Sequence, residues 1–193
     1  MRLILVGGAS MLVGCASTPR VEPSALAPLD VYPRELASAP LGEGGERTDL
    51  EGFYTAGRVT VGPQPTEDDL RALRAEGVGL IVNLRDSAAT ERHAAGEYDE
   101  TALAERLGMR YVHIPLGGAD GYAPEDLDAF REAVRGYEGS VLLHCASGGR
   151  ARTMWKAYLI AERGVSPERA ERIAESLGEG PTGLDRLLGE PEV

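Results

Sequence analysis

A chain of 193 residues, 42% of them hydrophobic, is long and apolar enough for one domain with a proper core. Its 20 Lys and Arg stand against 31 Asp and Glu, a formal net charge of -11, which argues against nucleic acid as a partner and against an electrostatic hold on anionic lipid. The 3 histidines and 2 cysteines show no ligand spacing, so no metal site is expected.

The opening, "MRLILVGGASMLVGCASTPR", has one basic residue at Arg2, an apolar run too short to cross a bilayer, and small residues leading into Cys15. Residues 1–14 read as an export signal. The ending Leu12-Val13-Gly14-Cys15 resembles the lipobox of bacterial lipoproteins, which implies that Cys15 is acylated and becomes the new N-terminus; the plainer alternative is an ordinary signal peptide or an uncleaved anchor. With Ala16 and Ser17 next, the resemblance implies an outer-membrane anchor and a domain facing the periplasm. Loss of residues 1–14 removes only Arg2 and leaves a net charge of -12, so membrane contact is expected from the lipid alone. With Cys15 lipidated, Cys145 has no partner for an internal disulfide, and is either a buried inert thiol or a reactive one.

Residues 15–47 are rich in Pro, Ala, Ser, Gly and Glu without periodicity, and read as a tether with a coil reach of roughly 30 Å. The folded domain is expected over 48–193. Within it, "FYTAGRVTVG" suggests a short strand pair or edge hairpin. "VGLIVNL" (78–84), "MRYVHIPL" (109–116) and "SVLLHC" (140–145) have the apolar, β-rich character of buried strands. Between them lie helices: "TEDDLRALRAEG" opens on Thr66 as N-cap and stops at Gly77, and "EYDETALAERLG" ends at Gly108. "PEDLDAFREAVRG" has Pro124 at its first position and Gly136 at its end, and "SPERAERIAESLG" repeats that design. Alternating strands and helices predict an α/β fold, a mainly parallel sheet flanked by helices in three layers. In such a sheet the ligand crevice lies beyond the carboxyl ends of the strands. The segments there are "NLRD" (83–86), "GGADGY" (117–122) and "CASGGR" (145–150), which should meet on one rim.

The last strand runs into Cys145, Ala146, Ser147, Gly148, Gly149 and Arg150, and then a helix whose Met154, Trp155, Tyr158 and Leu159 share one face. A strand, a glycine loop and a helix N-terminus make a cup of inward-pointing N–H groups suited to an anion. The same field favours a thiolate nucleophile. The plainer alternative is a buried cysteine followed by an ordinary Gly-Gly turn.

"HC" followed by a Ser/Gly-rich loop and Arg is similar to the cysteine-dependent tyrosine and dual-specificity phosphatases. The stretch "GPQPTEDDLRALRAEGVGLIVNLRD … MRYVHIPLGG … VLLHCASGGRARTMW" resembles, over roughly residues 52–165, a bacterial phosphatase-like family related to the N-terminal domain of beta-lactamase-hydrolase-like proteins. The resemblance implies attack by Cys145 on a phosphate monoester of a protein or small molecule, with no metal or organic cofactor. The usual phosphatase signature places five residues between Cys and Arg, and this chain has Ala151 at that position, with Arg150 after four residues and Arg152 after six. Helical phase places Arg152 with Lys156 and Arg163, facing solvent, so Arg150 is assigned to the anion and Arg152 to the periphery. The short loop also resembles that of rhodanese-type sulfurtransferases, which would carry a persulfide on Cys145. A catalytically silent, anion-binding envelope module is the remaining alternative.

The phosphatase chemistry needs a general acid. Asp120, in a loop after a strand and upstream of the nucleophile, is the candidate, or else a turn former before Gly121. Asp126 already has a reason to stand in a helix's first turn. Arg85 either reaches the anion or pairs with Asp86, Asn83 ties loops through its amide, and Gln64 lines the rim or simply stiffens the entry to Thr66. Ala146, Ser147, Gly148 and Gly149 would bind substrate through the loop. His144 points away from Cys145 by strand alternation, and the resemblance implies that it tunes the thiolate indirectly. His93 and His113 are expected to be a surface and a strand residue.

Overall fold

The computed structural model describes residues 46–177 and 187–189. The expected export signal, Cys15 and nearly all of the expected tether lie outside them. Strands β1 (Glu46–Arg47), β2 (Tyr54–Ala56), β3 (Val59–Gly62), β4 (Val78–Asn83), β5 (Arg110–His113) and β6 (Ser140–His144) form one sheet in the order β1-β2-β3-β6-β4-β5. The helices among the described residues are α1 (Glu67–Ala75), α2 (Ser87–Gly96), α3 (Glu100–Arg106), α4 (Pro124–Val134), α5 (Gly149–Arg163) and α6 (Pro167–Ser176). Strands β3, β6, β4 and β5 run parallel, and β1 and β2 extend the β3 edge antiparallel. The sheet therefore takes in Glu46 and Arg47, and the hairpin places β3 inside, against β6.

Local chemistry explains most boundaries. Thr66 and Asp69 form a reciprocal capping box, Thr66 Oγ1 accepting from the Asp69 N–H at 3.1 Å and Asp69 Oδ2 from the Thr66 N–H at 2.9 Å. Ser166 caps α6, with Pro167 at its first position. Asp99 accepts from the Ala102 N–H at 3.0 Å, so α3 starts at Glu100, later than the apolar pattern alone suggests. Helix α2 has no counterpart among the sequence expectations, because it buries only Ala89 and His93 and carries almost no apolar stripe.

The two faces of the sheet carry separate cores. Val59, Val61, Leu80, Val82, Val141 and Leu143 pack with Leu127 and Phe130 of α4 and Met154, Trp155 and Tyr158 of α5. Phe53, Ile81 and Leu142 pack with Leu70 and Leu73 of α1 and Leu103 of α3. Neighbouring residues of one strand thus serve opposite cores, as the period of two requires.

Gly62 closes β3 where the Phe53 ring crosses it, and a Cβ there would lie 2.2 Å from that ring. Phe53 is 1% exposed and has little room to retreat. Gly62→Ala is expected to lower stability by about 1–3 kcal/mol. The measurement is the urea midpoint, and an unchanged midpoint would show that the ring moves aside freely.

Candidate active site

Alternation along β6 sends Leu143 and Cys145 toward α5, and Leu142 and His144 toward α1 and α3. Cys145, 1% exposed, follows directly on the strand. The chain then passes through exposed Ala146 and Ser147 to buried Gly148 and Gly149. Gly148 caps α5 at φ 88°, where a Cβ would meet Arg152 Nη1 at 2.7 Å and the Gly62 carbonyl at 3.3 Å. This left-handed turn aims the Gly148 N–H at Cys145 Sγ, 3.2 Å away. The sulfur is thereby set in the turn that opens α5, whose unpaired N–H groups and dipole favour negative charge.

Arg150 stands in the first turn of α5. Its Nη1 donates to Asp86 Oδ2 at 3.2 Å and to the Leu116 carbonyl at 2.7 Å. Both contacts use one nitrogen, so Nε and Nη2 stay uncommitted among the described residues. Asp86 caps α2 by accepting from the Ala89 N–H at 2.8 Å, and that bond, followed by the Arg150 guanidinium, holds its carboxyl below the usual range against the opposing effect of burial. Asp120, exposed, accepts from the Ser87 N–H at 2.8 Å and from Ser87 Oγ at 3.1 Å. Its loop is closed by a Gly117 N–H to Gly121 carbonyl bond of 2.6 Å. The three expected segments therefore do meet, with Arg150, Asp86, Leu116 and Asp120 linking one strand end to the next.

Behind the cysteine lies a buried polar cluster. His144 is fully buried, and its Nε2 stands 3.0 Å from Glu100 Oε1, off the line of a straight hydrogen bond. Glu100 Oε2 accepts from Gln64 Nε2 at 3.3 Å and from Asn83 Nδ2 at 3.4 Å. Asn83 Nδ2 also donates to Tyr111 Oη at 2.8 Å, and Asn83 Oδ1 accepts from the Arg85 N–H at 2.8 Å. Arg85 Nη1 donates to Gln64 Oε1 at 2.7 Å and Nη2 to the Ala89 carbonyl at 3.1 Å. Burial opposes charge on Glu100, but His144, then the Gln64 amide and His93, outweigh it and hold its carboxyl below the usual range. The Tyr111 hydroxyl is pushed up to about 12 by burial and by the nearby Glu100 charge.

Sequence reasoning placed several groups differently. Arg152 is only 8% exposed, because α6 covers that side of α5 and Arg152 Nη1 donates to the Leu177 carbonyl at the end of α6, at 2.8 Å. Asp86 pairs with Arg150, and Arg85 is committed to Gln64 and Ala89. Gln64 is a tie between loops, its N–H donating to the Ala146 carbonyl at 3.2 Å. His93 is buried, while His113 lies on β5 and its Nε2 meets the Arg85 carbonyl at 2.8 Å. Glu100 was missed, although a signal exists: it occupies the first position of the spacing Glu100, Leu103, Ala104, Leu107, where an apolar residue would be expected. Among the described residues no three His, Cys, Asp or Glu side chains are grouped to hold a metal.

A parallel sheet leading through a cysteine turn into a central helix is the fold of the cysteine-dependent phosphatases. Comparable solved structures are P. aeruginosa TpbA in complex with pTyr (TM-score 0.57, 18% identity, 73% of this chain and 83% of that one) and Tk-PTP in its active form (0.56, 23%, 76% and 97%). PTPMT1 in complex with PI(5)P is a third (0.52, 21%, 68% and 88%). At these identities the likeness is one of fold. Residues 53–160 match the family described as Beta-lactamase hydrolase-like protein, phosphatase-like domain, and the chain belongs to that family. A Beta-lactamase hydrolase-like protein of Xylella fastidiosa is 30% identical over 133 residues, which are 67% of this chain and 30% of the relative. One of Agrobacterium fabrum is 34% identical over 98 residues, 51% of this chain and 22% of the relative. The chain thus spans less than a third of the length of the curated relatives it matches.

Asp86 and Glu100 both ionise more readily in the folded protein than in the unfolded chain. Their stabilisation is complete above the unfolded values, around pH 4, and is lost as pH falls through the lower folded values. Asp86→Asn and Glu100→Gln should therefore each flatten the acid side of the stability curve, measured by urea unfolding across a pH series. Acid sides as steep as that of the wild type in both variants would contradict the assignment.

Proposed function

We propose that the chain is a cysteine-dependent phosphatase that hydrolyses phosphate monoesters through a phosphocysteine. The observation that carries this is the Gly148 N–H on Cys145 Sγ, at the mouth of α5, in whose first turn stands Arg150, held by Asp86 through a single nitrogen. Cys145 Sγ attacks phosphorus while the loop N–H groups and the free side of Arg150 hold the non-bridging oxygens. Asp120 gives its proton to the leaving oxygen, after the loop releases it from Ser87. Water then attacks the phosphocysteine, giving a proton to the Asp120 carboxylate left by the first step, and the P–S bond breaks to release inorganic phosphate and return the thiolate. Phosphorylated proteins and small phosphates are the substrate classes, in keeping with neighbours solved with pTyr and with PI(5)P.

The test is release of phosphate from an aryl phosphate by the reduced protein, alongside transfer of sulfur from thiosulfate to an acceptor. Cys145→Ser should abolish phosphate release, and Asp120→Asn should lower kcat about 100-fold. Sulfur transfer without phosphate release would overturn the proposal in favour of a Cys145 persulfide carrier.

We further propose that Cys15 is acylated and that the domain faces the periplasm from the outer membrane, supported by the Leu12-Val13-Gly14-Cys15 ending and by Ala16-Ser17 after it. Labelled palmitate fed to expressing cells should enter the wild type and not Cys15→Ala. Equal labelling of both would exclude this site.

A further inference from the structure

Glu100 has no task in the mechanism above, yet a carboxylate that is 5% exposed is costly unless its partners compensate. Those partners come from three strand ends: His144 from β6, Asn83 from β4, and Gln64 just after β3. Around them stand the Tyr98 and Tyr111 hydroxyls, His93 of α2, and Arg85 through Gln64. Two of the links bracket the cysteine. His144 immediately precedes it, and the Gln64 N–H holds the carbonyl of Ala146, which immediately follows.

We propose that Glu100 is a positioning residue: holding His144 on one side of Cys145 and, through Gln64, Ala146 on the other, its carboxylate keeps the sulfur aimed at the anion in the cup. The position calls for a carboxylate by its chemistry. One oxygen, Oε1, stands against His144 Nε2 and the other, Oε2, accepts from two amide groups, whereas a carboxamide must present its NH2 to one of these sets. Glu100→Gln therefore breaks one link at nearly constant volume. The anion's own ligands, Arg150 and the loop N–H groups, do not touch Glu100, so binding and attack should separate.

The proposal rests on the phosphatase reading only for the identity of the substrate, and its test has a readout that needs no turnover. The purified full chain is treated with iodoacetate, and modification of the Cys145 peptide is followed by mass spectrometry, beside kcat and phosphate inhibition with an aryl phosphate. Glu100→Gln should slow alkylation and lower kcat by about tenfold or more, while the inhibition constant for inorganic phosphate stays within about threefold. His144→Asn should do the same, and the double variant should lose less than the product of the two single losses, because the residues act through one contact. Wild-type alkylation in Glu100→Gln would overturn the proposal, as would phosphate inhibition weakening in step with kcat, or single losses that multiply in the double variant. If Glu100→Gln does not fold, His144→Asn and Gln64→Ala test the same link from its other ends, and wild-type alkylation in both overturns it. Slowed alkylation in a protein that releases no phosphate would support the positioning role and remove the phosphatase reading.

Discussion

The alternation of side chains along β6 is the constraint on which the site depends. Consecutive residues of a strand face opposite sides of the sheet, so Cys145 and His144 fall into different surroundings although they are neighbours in sequence. Cys145 enters the core under α5, where the backbone N–H of Gly148 reaches its sulfur. His144 enters the other layer, where its ring nitrogens have no hydrogen-bond partner among the described residues and Glu100 at the start of α3 stands against it. The helix on one face supplies a backbone donor, and the helix on the other supplies a carboxylate.

An acidic protein that is to hold an anion must keep its own carboxylates occupied. Asp86 is bound by the Ala89 N–H and Arg150, Asp120 by Ser87, and Glu100 by two amides with His144 alongside. Each of these contacts also joins two segments, so the pairing that restrains negative charge near the cup also builds its rim and its floor. Arg150 illustrates the division: one nitrogen is spent on Asp86 and Leu116, and the Nε and Nη2 groups have no partner among the described residues.

Fold and site were legible to different depths. The helix boundaries declared themselves, as at Thr66 and at Pro167, because a cap is a local hydrogen bond between residues three apart and proline suits a helix's first position. The apolar runs of β4 and β6 did so as well, since a strand buried on both faces is apolar throughout. Helix α2 did not, because it has few apolar residues and is secured at its start by Asp86. Cys145, Gly148 and Arg150 could be singled out from a contiguous motif. Arg152 was placed in solvent because helical phase describes α5 alone, and the covering helix α6 arrives from further along the chain.

The amino-acid sequence by itself determined the α/β alternation, the parallel strands and the position of the cysteine turn at the head of α5, because these follow from periodicity, caps and glycines acting over a few residues. Only the tertiary structure decided which charges meet: Asp86 with Arg150, Glu100 with His144, Arg152 with the end of α6. Those pairings join residues 25 to 64 positions apart. They depend on the order in which strands enter the sheet and on which helix covers which face, and neither is set by the residues on the two sides of a contact.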